Sequence, residues 1–203
     1  GAPVEKPLAK FFFGFFAVML LAFISPEGRR RMMVLSGGFA AVAIWMLVDQ
    51  YALGHLESHI AHYVDEAGTF FKEPEKIRHW GDNVRVISHG VIIGLIAAMA
   101  IVVAGVAKFR GFSLLLALVP ALMPVFFVLE YSGWLWFFGH NLHPWGAFTV
   151  KPFMPTVFGE GKVAQFSTYS YPYWGYGLLL IAFVCLMLAL LMRRRQMRET
   201  GTG

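Results

Sequence analysis

The sequence MMVLSGGFAAVAIWMLVDQYALG runs from Met32 to Gly54, and HLESHIAHYVDE follows it up to residue 66. The first segment is apolar and long enough for an α-helix to cross a bilayer, which takes about 20 residues. The second segment places polar side chains four, three and four residues apart, at His55, His59, His62 and Glu66. On a helix these positions share one face. The stretch therefore predicts a membrane-spanning helix that leads directly into a helix with three imidazoles and a carboxylate on one side.

The composition of the whole chain predicts an integral membrane protein. Of the 203 residues, 58% are hydrophobic and only 14% are charged, which leaves too little polar surface to cover a soluble globule. The formal net charge is +5, but the basic residues lie in short clusters beside apolar runs, as topology signals do. We therefore expect a single membrane domain over residues 1–203, in contact with the lipid bilayer and without a nucleic-acid partner.

Hydropathy divides the chain into five membrane spans. They are Leu8–Ser25, Met32–Gly54, Val84–Ala107, Phe112–Phe138 and Trp174–Met192. The first run is followed by Pro26-Glu-Gly-Arg29 and not by a small-residue cleavage pattern, so we interpret it as a span and not as a signal peptide. Pro120 and Pro124 predict a bend in the fourth span, because proline interrupts the helical hydrogen bonds. The predicted fold class is an all-α integral membrane protein with five transmembrane helices.

Clusters of basic residues indicate the orientation of the spans. Arginines follow the first span at positions 29–31 and the fifth at positions 193–195, while Lys108 and Arg110 follow the third. The positive-inside rule assigns these three ends to the cytoplasm. The N-terminus and the long loops 55–83 and 139–173 then lie outside, and the C-terminus is cytoplasmic. We expect a bacterial inner membrane, with the histidine-bearing loops on the periplasmic side.

Both outer loops are predicted to be structured. Loop 55–83 begins with the histidine helix, and loop 139–173 contains His140, His143 and many aromatic residues. Tyrosine and tryptophan at that density are typical of the lipid headgroup level, where amphipathic rings are favoured. We expect the second loop to lie on the membrane surface as a folded lid.

Three ionisable residues are predicted to lie within or just below the outer edge of the bilayer: Asp49, His89 and Glu130. An ionisable side chain in hydrocarbon costs about 2.5–3.5 kcal/mol, so it normally faces a partner, a cavity or water. Because their predicted depths are similar, these residues are candidates for a shared catalytic site. The alternative is a buried hydrogen-bond network with a purely structural role, for example between Asp49 and His89.

The histidines on the outer side are candidate metal ligands: His55, His59, His62, His89, His140 and His143. Neutral imidazole binds copper, zinc, iron and nickel, and two histidines four residues apart on one helical face can hold one ion. The alternative is a polar face at the headgroup boundary that titrates without an ion. Asp49 lies about 240° around a continuous helix from His55. These two residues can share a site only if the helix breaks near Gly54.

The order of these features resembles the C subunit of the copper membrane monooxygenases, which oxidise methane or ammonia. The shared features are an acid that ends one span, Ser88-His89 at the start of the next, and a proline-bearing span that runs through Glu130 into Trp134-Leu-Trp-Phe-Phe138 and a Pro-Trp-Gly turn. This resemblance implies a copper-binding oxidoreductase subunit. The Asp-x3-His-x12-His pattern of that family is absent, since the first histidine after Asp49 is His55.

A second resemblance is to the sterol-isomerase family related to emopamil-binding protein, which also has five spans, an outward N-terminus and a basic C-terminus. The loop before its third span is similar to Lys72-Glu73, Lys76, Arg78 and Gly81-Asp82-Asn83. Asp49 stands where that family has a carboxylate in span two, and His89 replaces a glutamate in span three. This resemblance implies proton transfer on a sterol or a related lipid.

Three functions from different classes are consistent with these patterns. The first is a metalloprotein, a subunit of an oxidoreductase, that binds a transition metal through the outer histidines, with copper favoured over zinc or iron. Haem is disfavoured because only His89 lies clearly inside a span. The second is a metal-free isomerase or lipid-binding protein in which Asp49, His89 and Glu130 move a proton. The third is a scaffold subunit of a larger complex. Other membrane subunits are expected as partners.

Overall fold

The computed structural model describes residues 5–70, 73–141, 151–163 and 166–200. Of these described residues 83% are helical, and they form seven α-helices, a π-helical turn, a 3-10 turn and a two-stranded β-hairpin. Residue contacts divide the chain into two compact units, residues 1–116 and 117–203. That residues 1–203 act as one membrane domain stays a prediction.

The elements follow one another along the chain with short connections between most of them. The first unit contains α1 (Glu5–Ile24), α2 (Arg29–Leu47), the π-helical turn (Val48–Ala52), α3 (His55–Phe70), α4 (Pro74–Lys108) and the 3-10 turn (Arg110–Leu114). The chain then forms α5 (Leu115–Ala121), α6 (Met123–His140), β1 (Gly159–Val163), β2 (Phe166–Ser170) and α7 (Trp174–Thr200).

Helices α1 and α2 form an antiparallel hairpin that turns at Gly28, where φ is +85°. Aromatic side chains pack between the two helices: Phe15 stacks on Phe39 with ring centroids 5.1 Å apart, and Phe11 meets Trp45 edge to face at 4.9 Å. Phe11, Phe15 and Phe39 are buried. The hairpin therefore has an apolar core of its own along most of its length.

Helix α3 packs on the first turns of α4. Leu56 and Ile60 of α3 are buried together with Val84 of α4, and Tyr63 and Val64 pack against them. Their spacing along α3 is the i, i+4, i+7 pattern of one apolar helix face. The segment predicted as outer loop 55–83 is therefore almost wholly helical within its described residues, and α4 begins about ten residues before the predicted third span.

The second unit contains the bend that the two prolines predict. Helices α5 and α6 meet at Leu122 with an angle of 50°. Pro124 has no N–H to donate to the carbonyl group of Pro120, so the helical ladder is interrupted at this point. Further along, β1 and β2 pair antiparallel from Gly159 opposite Ser170 to Val163 opposite Phe166, which places a β-hairpin within the predicted loop 139–173.

The described helices have the length and the apolar composition that an all-α membrane protein requires. The helices long and apolar enough to cross a membrane are Pro7–Ile24, Arg29–Ala52, Pro74–Lys108 and Trp174–Gln196. A fifth crossing results if the bent pair Gly111–Ala121 and Met123–His140 acts as one span. In the Trp174–Gln196 span only 6% of the apolar window is buried inside the chain, so most of its surface is available to lipid. The predicted orientation and the number five stay predictions.

Close contact between α1 and α2 depends on Gly38, and this gives a first prediction. A Cβ atom at Gly38 would lie 2.7 Å and 2.8 Å from the two Cγ atoms of Val18. Because valine is β-branched, its side chain has little freedom to move away from this contact. We expect Gly38→Leu to lower the free energy of unfolding by about 1–3 kcal/mol, the usual cost of overpacking. Thermal unfolding in detergent or nanodiscs measures it.

The neighbouring Gly37 provides the control, because no described atom lies within 4 Å of a Cβ built there. Gly37→Leu should leave the unfolding temperature nearly unchanged. The pair Val18→Ala and Gly38→Ala should regain stability relative to Gly38→Ala alone, since the valine methyl groups are then gone. Equal destabilisation by the Gly37 and Gly38 leucine variants would show that these two helices do not pack as described.

Candidate functional site

The second span ends in a π-helical turn, Val48–Ala52. The N–H of Leu53 donates to the carbonyl oxygen of Val48 at 2.9 Å, a bond across five residues in place of the usual four. Such turns occur mostly as single interruptions of α-helices and are frequent at functional sites. Gly54 follows with φ of +69°, a conformation that glycine adopts without steric cost. The chain therefore changes direction here, and α3 begins at His55.

This break brings Asp49 and His55 together. On a continuous helix they would lie about 240° apart, but the Nδ1 atom of His55 lies 3.1 Å from the Oδ1 atom of Asp49. An ionised carboxylate only accepts hydrogen bonds, so Nδ1 carries the proton and donates it. The Nε2 atom of His55 is then left as an acceptor on a side chain that is 56% exposed.

Lys10 of α1 is the third member of this site. Its Nζ atom donates to the same Oδ1 atom of Asp49 at 2.7 Å, and it lies 5.0 Å from the ring centroid of Phe11 and 5.8 Å from that of Trp45. Sequence reasoning overlooked Lys10, although a lone basic residue at the start of an apolar run was the signal. Lys10 and Asp49 lie at similar chain distances from the turn at Gly28, which places them side by side in an antiparallel hairpin.

Gln50 completes the set, which we call the Asp49 cluster: Lys10, Asp49, Gln50 and His55. The Nε2 atom of Gln50 donates to the Oδ2 atom of Asp49 at 2.6 Å. The Asp49 side chain is only 9% exposed. Burying an unpaired carboxylate costs several kcal/mol, and three donors on its two oxygens offset that cost. The cluster is thus a buried carboxylate balanced by the ammonium group of Lys10, and two of its members, Lys10 at 43% and His55 at 56% exposure, reach the surface.

His89 lies next to this cluster without joining it. Its ring centroid is 5.6 Å from that of Tyr51, in the π-helical turn, and its Nδ1 atom donates to the carbonyl oxygen of Arg85 at 2.7 Å. Within the described part of the chain, the side-chain partners of Asp49 are Lys10, Gln50 and His55. The network expected as the alternative therefore exists around Asp49, but its histidine is His55 and not His89.

The other candidate ligands are spread over several elements. His59 and His62 follow His55 on α3, and the Nε2 atom of His62 lies 3.5 Å from Glu66. His140 ends α6, where its Nδ1 atom donates to the carbonyl oxygen of Trp136 at 2.8 Å, and His143 lies outside the described residues. Among the residues that the structure describes, no three or more His, Cys, Asp or Glu side chains are arranged to hold a metal ion.

Glu130, the third predicted catalytic residue, belongs to the second unit. It lies in α6, one residue before Tyr131, whose hydroxyl oxygen is 3.5 Å from that of Ser170 at the end of β2. Its membership of a site with Asp49 and His89 stays a prediction.

The position of α3 is secured by an ion pair to α4. Arg85 donates from Nε and Nη2 to the two carboxylate oxygens of Glu57, each at 2.9 Å, and from Nη1 to Asp82 at 2.7 Å. The hydrogen bonds from Arg85 hold the pKa of Glu57 below its ordinary value of 4.5, against the opposing effect of desolvation. This bidentate contact lies two residues from His55 and joins the first turn of α3 to α4.

The lowered pKa of Glu57 predicts a pH dependence. A carboxyl group with a depressed pKa stabilises the folded state above its ordinary pKa, and the contribution is lost as the pH falls through the folded-state value. We expect the thermal stability of the purified protein to fall below pH 4.5, and Glu57→Gln to remove part of that fall. Asp65→Asn, on the same helix, is the matched control and should keep it. An unchanged pH profile in Glu57→Gln would contradict the assignment.

No family model, no curated protein and no solved structure matches this chain. The function proposed below therefore depends on the geometry of the Asp49 cluster and on the chemistry of its four side chains.

Proposed function

We propose that this membrane protein transfers protons through the Asp49 cluster, at the outer end of its second span. Asp49 gives or accepts the proton at the buried side, and His55 exchanges it with water. The observation that carries the proposal is the 3.1 Å hydrogen bond between a carboxylate that is 9% exposed and an imidazole that is 56% exposed. A buried acid that is hydrogen-bonded to an exposed imidazole has the arrangement of a proton relay, and Lys10, which is also partly exposed, supplies the balancing charge.

In this relay, one nitrogen of the His55 ring binds a proton while the other nitrogen releases one. A hydronium ion gives a proton to the Nε2 atom of His55 and becomes water, and the proton on Nδ1 passes to the Oδ1 atom of Asp49, so that the ring gains one proton, loses one and stays neutral overall. Asp49 becomes a neutral carboxylic acid that can protonate a substrate. The reverse sequence returns a proton from the substrate to water. Histidine suits this role because its two ring nitrogens can bind and release protons on opposite sides of one side chain.

Lys10 and Gln50 stabilise the ionised form of Asp49 and hold its carboxylate in position. The ammonium group of Lys10 offsets the charge of the carboxylate when it is ionised, which makes a charged base tolerable in an apolar surrounding. Lys10 is 43% exposed, so its own charge remains partly hydrated when Asp49 is neutral. Gln50 holds the Oδ2 atom, so the exchange with His55 takes place on Oδ1, which also accepts a hydrogen bond from Lys10.

An apolar, lipid-soluble substrate fits the position of the cluster. Asp49 lies within the apolar segment Arg29–Ala52, and the neighbouring side chains of Leu47 and Val48 are exposed on the helix surface, where lipid would contact them. The three arginines at the start of α2 lie at the opposite end of the hairpin, so the positive-inside rule puts Asp49 on the outer side. We infer a metal-free enzyme or lipid-binding protein that moves a proton on such a substrate, with His89 as a further candidate for the same site.

A metal site at His55 is the second candidate, and one observation favours it. A carboxylate that accepts the Nδ1 proton of a histidine leaves Nε2 as the ligand, an arrangement common around protein-bound metals. His59 is four residues further along α3 and could supply a second nitrogen. Copper is the favoured ion for such an imidazole pair, ahead of zinc or iron, in a subunit of an oxidoreductase. Proton transfer ranks first because the described side chains offer a complete relay but no set of three ligands.

The relay predicts that His55 controls how fast Asp49 is protonated. In nanodiscs, infrared spectroscopy after a rapid pH drop should show a carboxylic-acid band that is absent from Asp49→Asn. We expect His55→Gln to slow the rise of this band by about 100-fold or more, the usual contribution of a positioned acid–base group. The matched control is His62→Gln, on the same helix, which should keep the rate. Equal rates in the two glutamine variants would overturn the relay.

The metal candidate predicts a different result. If a transition metal binds at this site, plasma mass spectrometry of protein purified without chelator should find near-stoichiometric copper, zinc or iron, and a His55→Ala/His59→Ala variant should lose it. His79→Ala, a change at an exposed histidine of α4, serves as the control and should keep the metal. A metal content that is the same in all three proteins would exclude His55 and His59 as ligands.

A further inference from the structure

Gln50 is among the most deeply buried side chains in the chain, at 2% exposure, and its orientation is determined by its neighbour. Its side-chain nitrogen lies 2.6 Å from the Oδ2 atom of Asp49. A carboxylate oxygen accepts but cannot donate, so the NH2 group must face Asp49 and the carbonyl oxygen, Oε1, must point away from it.

The Oε1 atom of Gln50 is buried and has no hydrogen-bond partner among the described residues. Buried polar atoms in folded proteins nearly always have a partner, and one left without a partner calls for an explanation. The atom sits in the π-helical turn, which is itself frequent at ligand sites. Both observations indicate that a hydrogen-bond donor from outside the described chain belongs at this position.

We propose that Gln50 Oε1 binds a neutral hydroxyl group, either a water molecule or the alcohol group of an apolar molecule. The charge of the cluster excludes a cationic donor: Lys10 already balances Asp49, so an ammonium ligand would leave a net positive charge in an apolar surrounding. A hydroxyl group adds no charge and supplies the donor that Oε1 lacks among the described residues.

This inference deepens the proton-transfer proposal and rests on it for its chemical meaning. A hydroxyl group on Oε1 is separated from the Oδ2 atom of Asp49 only by the amide group of Gln50. It is therefore linked to Asp49 through one amide group, on the Oδ2 side, whereas the relay protonates Oδ1. A bound alcohol would be the substrate or its analogue, and a bound water would extend the hydrogen-bonded network inward from Asp49.

Isotope-edited infrared spectroscopy tests the site directly. The chain has three glutamines, at positions 50, 165 and 196, so a Gln165→Asn/Gln196→Asn variant made by cell-free synthesis with side-chain ¹³C-glutamine carries a single labelled carbonyl. We expect its band in native-lipid nanodiscs at a lower wavenumber than that of an amide carbonyl in a dry apolar solvent, as hydrogen bonding requires. Gln50→Met in the same background should lose the band, which confirms the assignment.

Delipidation separates the two sources of the hydroxyl group. If the donor is an alcohol, exhaustive detergent washing should move the band up to the free-carbonyl position. If it is water, the band should stay low after washing and shift when H2O is replaced by D2O. Either result supports the site. A band at the free-carbonyl position in native lipid would overturn it, and since the His55→Gln kinetics do not involve this band, that outcome leaves the relay to be judged separately.

Discussion

A carboxylate inside an apolar helical bundle is stable only when hydrogen-bond donors surround it. In the first unit, Asp49 is such a carboxylate, and its neighbours must supply the donors. The Lys10 ammonium at 2.7 Å and the Gln50 amide at 2.6 Å satisfy one carboxylate oxygen each, and His55 adds a third donor. Lys10 and Asp49 lie at the end of the hairpin that is remote from the turn at Gly28. Their ion pair therefore fixes the register of α1 and α2 at the end that the turn does not constrain. The apolar core along the hairpin then packs in that register.

The same requirement explains why the second span does not run straight into α3. A regular helix would point His55 away from Asp49, but the π-helical turn and the positive φ of Gly54 redirect the chain within a few residues. Helix α3 is then held by its apolar face on α4 and by the contact of Glu57 with Arg85. Two independent contacts thus join α3 to α4, one apolar and one ionic.

The proposed proton transfer and the proposed metal site both depend on the hydrogen bond between His55 and Asp49. In both, the bond from Nδ1 to Asp49 leaves the Nε2 atom of His55 open to the solvent side, and the difference is whether a proton or a metal ion binds there. A metal ion needs further ligands, whereas a proton needs only water. In the proposed relay, the half-exposed side chain of His55 meets water and the buried Asp49 lies at the inner end of the proton path.

The sequence by itself determined the membrane class, most of the span positions and the bend of α5 against α6, because bilayer thickness sets the length of an apolar helix and proline removes a helical hydrogen bond. It also indicated Asp49 and the histidines of α3, since ionisable side chains are energetically costly beside hydrocarbon. It did not indicate Lys10, the helical start of α4 or the bond between Asp49 and His55. Those depend on which helices are neighbours and on a π-helical turn of one extra residue. Only the tertiary structure decided them, because hydropathy averages over a whole span whereas a hydrogen bond depends on single ångströms.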